Sequence, residues 1–151
     1  MNVRKPDKAR LVGINHVALE VGNIDDALEF YGRFFDFALR GKSDKMAFID
    51  MGDQFLALSA ADSLSEDRHR HFGLVVDDRS RLREQLKAEH NELIPGKGLN
   101  FRDPWGNFIQ VVEYRDIQFS KTDAVLRGMG LGLNKSEEAL AQLRDKGLLE
   151  T

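Results

Sequence analysis

His16-Val-Ala-Leu-Glu-Val21 and His71-Phe-Gly-Leu-Val-Val76 are the two stretches whose reading decides the fold. They lie 55 positions apart, and each alternates small or polar residues with large apolar ones. A period of two marks a strand buried on one side. Val17, Leu19 and Val21 share one face, as do Phe72, Leu74 and Val76. The histidines lead the opposite faces, His16 with Ala18 and Glu20, His71 with Gly73 and Val75. Two copies at a fixed offset indicate an internal duplication.

Each strand runs straight into a helix-start signal. Asn23 is placed to cap a helix opening with Ile24-Asp25-Asp26, two acids in the first turn where the helix dipole favours them. Ile24, Ala27, Leu28, Tyr31, Phe34 and Phe35 recur at helical spacing. Asp78 caps a more polar second helix, with Leu82 and Leu86 at the positions of Ala27 and Tyr31. The large face of each strand is therefore expected beneath its helix. Further on, Met46–Met51, Gly52-Asp53 and Gln54–Ser59 read as a tight hairpin. Gly98–Asp103, the turn Pro104–Asn107 and Phe108–Tyr114 read as a second. Pairing both Gly52 with Gly106 and Phe55 with Phe108 requires one slip between them, and it places Ala57 opposite Gln110.

Each unit is thus a strand, a helix and about three further strands. The modules run from about 11 to 59 and from 70 to 114, joined by a polar linker, 60–69, as one domain of residues 11–114. A tail, 115–151, belongs to neither copy. Its Gly128-Met-Gly-Leu-Gly132 lacks the Lys-Ser/Thr of a phosphate loop and reads as a flexible joint. A helix capped by Ser136 follows, and Gly147 is placed to end it.

The bulk numbers fit this picture. A chain of 151 residues with 42% hydrophobic and 31% charged residues has the make-up of one soluble domain. A net charge of −3 lacks the basic footprint of a nucleic-acid binder. No apolar run approaches the roughly 18–20 residues that span a bilayer, and the basic start has no apolar stretch behind it. There is no cysteine, which excludes disulfides and thiolate metal sites. A cytoplasmic protein is the reading left by elimination.

Gly13-Ile-Asn-His16-Val-Ala-Leu-Glu-Val, His71-Phe-Gly-Leu-Val-Val-Asp-Asp78 and Asp103-Pro-Trp-Gly-Asn-Phe-Ile-Gln110-Val together resemble the vicinal oxygen chelate superfamily. Glyoxalase I, fosfomycin-resistance enzymes, extradiol dioxygenases and bleomycin-resistance proteins belong to it. The Asp-Pro-x-Gly-Asn turn is the most specific piece. The resemblance implies an α+β fold of paired βαβββ modules, their sheets curled around a shared cavity, often with a divalent metal ion. It also implies a homodimer, and the thin apolar face of the tail helix needs a partner surface.

In metal-binding members the ligands lie on the first and last strands of the modules, which here gives His16, Ala57, His71 and Gln110. Ala57 cannot ligate, and Gln110 stands where a glutamate is usual. Two readings follow. In one, His16, His71 and the amide oxygen of Gln110 hold a divalent metal that acts on a small molecule in a glyoxalase- or dioxygenase-like reaction left unassigned. In the other, the protein is a metal-free small-molecule binder of the bleomycin-resistance type. Ala57, Phe55, Phe108, Val112 and Tyr114 are the expected pocket residues in either case. No catalytic acid or base stands out. Glu20 lies roughly 13 Å along the strand from His16, and Glu113 has the wrong parity. Arg68, His69, Arg70 and Arg102 could draw an anion to the cavity mouth. Trp105 is expected to cap a core edge.

Overall fold

The computed structural model describes residues 14–96 and 98–149. Residues 11–13, the expected start of the first module, lie outside the described residues. The first module comprises β1 (His16–Val21), α1 (Ile24–Phe34), β2 (Leu39–Lys42), β3 (Met46–Asp50) and β4 (Phe55–Ala60). The second comprises β5 (Phe72–Val76), α2 (Arg79–Ala88), β6 (Leu99–Arg102) and β7 (Phe108–Glu113). A 3-10 turn at Tyr114–Asp116, then α3 (Asp123–Gly128) and α4 (Glu137–Asp145), complete the described chain. No helix among the described residues is long and apolar enough to cross a membrane.

The strands form two sheets, ordered β1-β4-β3-β2 and β5-β7-β6. In each, the first strand runs parallel to the last. Ala18 sits opposite Ala57, and Gly73, its counterpart in the repeat, sits opposite Gln110. The duplication is therefore kept in the hydrogen-bond register. Asn23, Asp78 and Ser136 each accept from a backbone N–H of the first turn that follows, as caps do.

The second module departs from the expected strand count. Where the first has β2, the second has a connection that makes one bridge, Leu93 to Phe101. Pro95 has no N–H to give a ladder, and Gly96 and Gly98 both take positive φ, 145° and 79°. Among the described residues sheet two therefore ends at β6, with one bridge, Leu93 to Phe101, on its outer edge. The tail also differs from expectation. Thr122 caps α3, and the bonds Gly130 N to Arg127 O and Leu131 N to Leu126 O close its C-terminus. Gly130, at φ 73°, is the left-handed residue that such a stop requires. The glycine run is a helix terminus rather than a joint.

One core holds both modules. Leu19, Val21, Leu56, Leu58 and Ile49 from the first sheet join Leu99, Phe101, Ile109 and Val111 from the second. Between them lies α1. It packs on β4, and its Phe30 and Phe34 also meet Phe101 of β6, ring centres 6.5 Å apart in each case. Both sheets thus turn their large faces towards the same helical layer.

The Asp103–Asn107 turn stitches the layers together. Asp103 is buried and accepts from Tyr31 Oη (2.8 Å), Trp105 N (3.0 Å), Asn107 N (2.9 Å) and Asn107 Nδ2 (2.7 Å). Asn107 Nδ2 also donates to the carbonyl of Glu20 at 2.8 Å, tying the turn to β1. Burial pushes the Asp103 carboxyl up, and the bonds from Asn107 and Tyr31 only partly offset it. Burial, with the Asp103 charge beside it, holds the Tyr31 phenol well above its usual range. Trp105 packs against the core, over Gly22, where no Cβ would fit: one would lie 2.5 Å from the indole nitrogen.

Candidate functional site

With the large faces buried, the opposite faces of the sheets carry the site residues. His16, at the start of β1, is exposed, and its ring stacks on Phe55 of β4 (4.7 Å, 8°). Its Nδ1 lies 2.9 Å from Asn15 Oδ1. Phe55 is met edge-on by Phe48 of β3 (5.8 Å) and covered by the Arg40 guanidinium of β2, 4.9 Å from its centre. Arg40 donates to Asp50 Oδ1 (2.8 Å) and to the carbonyls of Gly52 (2.6 Å) and Gln54 (3.0 Å). That bond holds the Asp50 carboxyl below its usual range. Ala57 is buried in the same sheet.

The second sheet repeats the pattern. His71, just before β5, is exposed, and its Nδ1 is 2.9 Å from the carbonyl of His69. A carbonyl can only accept, so Nδ1 carries the proton and Nε2 the lone pair. The ring lies 5.6 Å from Phe108 of β7. The Arg102 guanidinium lies on that same ring, 5.4 Å from its centre. Gln110 and Val112 follow Phe108 at the same parity, opposite Gly73 and Val75. Each sheet thus presents a histidine, a phenylalanine and an arginine in contact. Asn15 lies in the Gly13-Ile-Asn-His16 stretch without a role that the sequence shows, and Arg40 carries no motif at all; only the ring contact reveals Arg40.

Other residues fall elsewhere. Tyr114 is buried beneath the tail, its ring 3.6 Å from Lys135 Nζ and its Oη accepting from Lys121 N (3.3 Å). Lys135 Nζ also donates to the carbonyls of Tyr114 (2.6 Å), Ile117 (2.8 Å) and Phe119. Glu113 turns to the helix side and accepts from Arg79 N at 2.8 Å. Glu20 is exposed, four residues beyond His16. Arg68, His69 and Arg70 are exposed on the linker.

Both histidine-bearing faces point away from the shared core. Among the described residues no hydrogen bond or ring contact joins His16 to His71. Among the described residues no three His, Cys, Asp or Glu side chains form a group able to hold a metal ion. The edges tell the rest. Among the described residues β1 pairs with β4 alone and β5 with β7 alone, so the strand that His16 opens and the strand that follows His71 each keep one edge unpaired.

A profile described as glyoxalase/bleomycin resistance protein/dioxygenase superfamily matches residues 13–111. The chain belongs to this superfamily. Metallothiol transferase FosB from Shouchella clausii (strain KSM-K16) is 26% identical over 114 residues, covering 66% of this chain and 78% of the relative. Lactoylglutathione lyase from Agrobacterium tumefaciens is similar in structure, with TM-score 0.58 and 22% identity over 70% of this chain and 96% of that one. A variant of the fosfomycin resistance protein FosX from Listeria monocytogenes, complexed with Mn(II) and a dihydroxypropylphosphonic acid, has TM-score 0.58 and 19% identity, covering 68% and 90%. Both histidines and Gln110 lie inside the matched segment, which stops two residues before the end of β7. The tail, 115–151, lies outside it.

Proposed function

We propose that the chain works as a homodimer in which the β1 edge of one copy meets the β5 edge of the other. The first sheet of one copy then continues into the second sheet of its partner, and His16 joins a face carrying His71 and Gln110. Each such composite face holds one divalent metal ion and acts on a small molecule with neighbouring oxygen atoms. The observation that carries this reading is the state of the two histidines. Both have Nδ1 against an oxygen acceptor, which fixes the ring and leaves Nε2 as the ligating atom on an open face. A divalent ion bound there supplies Lewis acidity to the substrate oxygens.

The chain's own residues do the rest. Phe55 and Phe108 give flat apolar walls, Ala57 leaves room, and Gln110 adds a neutral oxygen donor. No carboxylate stands ready as a base, since Glu113 is spent on the start of α2 and Glu20 is remote along the strand. That favours transfer or addition to an activated small molecule over an isomerisation that must abstract a carbon-bound proton. The resemblance to a metallothiol transferase, and a relative crystallised with Mn(II) and a diol phosphonic acid, support the same class.

Mixing variants tests the composite site. His16→Ala and His71→Ala homodimers should each lose metal binding by elemental analysis. Co-refolded together, they form mixed dimers with one intact composite face and should regain part of it. A site contained in one chain would regain none. The neutral Gln110 and the inert Ala57 favour the second reading, a metal-free binder; wild-type protein that takes up no Mn²⁺, Zn²⁺ or Ni²⁺ would establish it.

A further inference from the structure

We propose that Arg102 anchors an anionic oxygen group, a phosphonate, phosphate or carboxylate, on the molecule whose other end sits at His71. The inference deepens the proposed metal site and rests on it, but it is carried by a different observation. The two arginines that cover phenylalanines beside the histidines are not equivalent. Arg40 is spent: a carboxylate at 2.8 Å and two carbonyls take its donors, within a four-stranded sheet. Arg102 gives its bonds to one neutral group, the carbonyl of Asp67 (3.2 and 3.0 Å). Its nearest acid, the exposed Glu66, is a loose 3.6 Å away. Among the described residues no carboxylate lies within hydrogen-bonding distance of its guanidinium.

The connection before β6 turns this into a place for a ligand. Among the described residues it makes one bridge to β6 and leaves a hollow of about 340 Å³ lined by Glu92, Ile94, Pro95 and Arg102. Arg102 thus lines the hollow and also contacts the Phe108 ring, which His71 contacts as well. A short-chain molecule laid across Phe108 reaches both. Guanidinium is suited to the far end, because its planar fork matches two oxygens of one anion.

The test is a titration of ¹⁵N-labelled protein, with and without Zn²⁺, using methylphosphonate in one arm and acetate in the other. Zn²⁺ content is measured separately. Wild type should bind methylphosphonate with a shift of the Arg102 Nε–H signal. Arg102→Ala should weaken binding tenfold or more with Zn²⁺ content unchanged. Ile94→Trp, which fills the hollow and keeps the arginine, should weaken it too, and serves if removing Arg102 disturbs the Asp67 segment. Arg144→Gln, an exposed position on α4, should leave the affinity as it was. Tighter binding of acetate than of methylphosphonate would identify the group as a carboxylate and keep the anchor. Wild-type affinity in Arg102→Ala, no binding by wild type, or an equal loss in Arg144→Gln each overturns the proposal. Arg102-dependent binding in protein that takes no Zn²⁺ upholds the anchor and overturns the metal reading alone.

Discussion

Gln110 stands opposite Gly73 and Asn100 in the middle of the second sheet, where an acidic ligand would give a metal a compensating charge. Replacing it with glutamate adds that charge without changing the reach of the side chain. Gln110→Glu is expected to tighten divalent metal binding by about 10- to 100-fold, most of the Coulomb gain being cancelled by desolvation. Calorimetric titration of wild type and variant with Mn²⁺ reads the difference, and equal affinities would remove Gln110 from the site. Tyr31 gives a second residue-scale expectation. Its hydroxyl is buried against Asp103, so Tyr31→Phe should cost about 1–2 kcal/mol at neutral pH. The sign of its pH dependence follows from linkage. The folded phenol titrates above its ordinary value, so its contribution is full below about pH 10 and is lost as pH rises through the folded value. The deficit of the variant should therefore shrink in alkali when urea midpoints are compared. A gap that widens there would contradict the buried pair.

At the scale of elements, α2 ends in a way that can be improved. His90 takes φ 58° just past the helix, while Asn91 N closes on Leu86 O at 2.9 Å. A side chain in that left-handed conformation costs about 1 kcal/mol relative to glycine. His90→Gly should stabilise the protein by that amount in chemical denaturation. Loss of stability would mean that the imidazole has a use the structure does not display. The tail offers the opposite case. Lys135 Nζ gathers carbonyls of Tyr114, Ile117 and Phe119 over an aromatic face, and burial lowers its pKa. Lys135→Met keeps the length and removes the donors. Faster amide exchange confined to the residues after 114 is the expected result, and unchanged exchange would show that α4 packs without the clamp.

For the whole molecule, the open β1 edge is the decisive feature. Phe55 N bonds to Asn15 O and Ala61 N to Val21 O, so odd-numbered carbonyls of β1 face β4. In a parallel ladder the N–H groups of Ala18 and Glu20 then turn to the free edge. Ala18→Pro removes a donor from that edge and none from the ladder to β4. Light scattering should report a dimer for wild type and a monomer for Ala18→Pro, with metal binding lost alongside. A proline variant that stays dimeric would move the interface elsewhere.

How much of this was legible differs by scale for a physical reason. Strand periodicity, helix caps and the Asp-Pro-Trp-Gly-Asn turn depend on neighbours a few residues apart, so Asn23, Asp78 and Ser136 could be read as caps directly. The register is nearly as local: once the repeat is seen, Ala57 and Gln110 must be equivalent. α3 escaped because Thr122-Asp123 precedes a helix of six residues, too short for a periodic stripe. The absent strand of the second module escaped because a duplication argues for symmetry, while Pro95, Gly96 and Gly98 act against it. The sequence by itself determined which residues face away from the core, His16 and His71 among them. That both modules bury their large faces in one shared core emerged only from three-dimensional packing: Phe30 and Phe34 of α1 meet Phe101 of β6, and no pattern along one strand encodes a contact between modules.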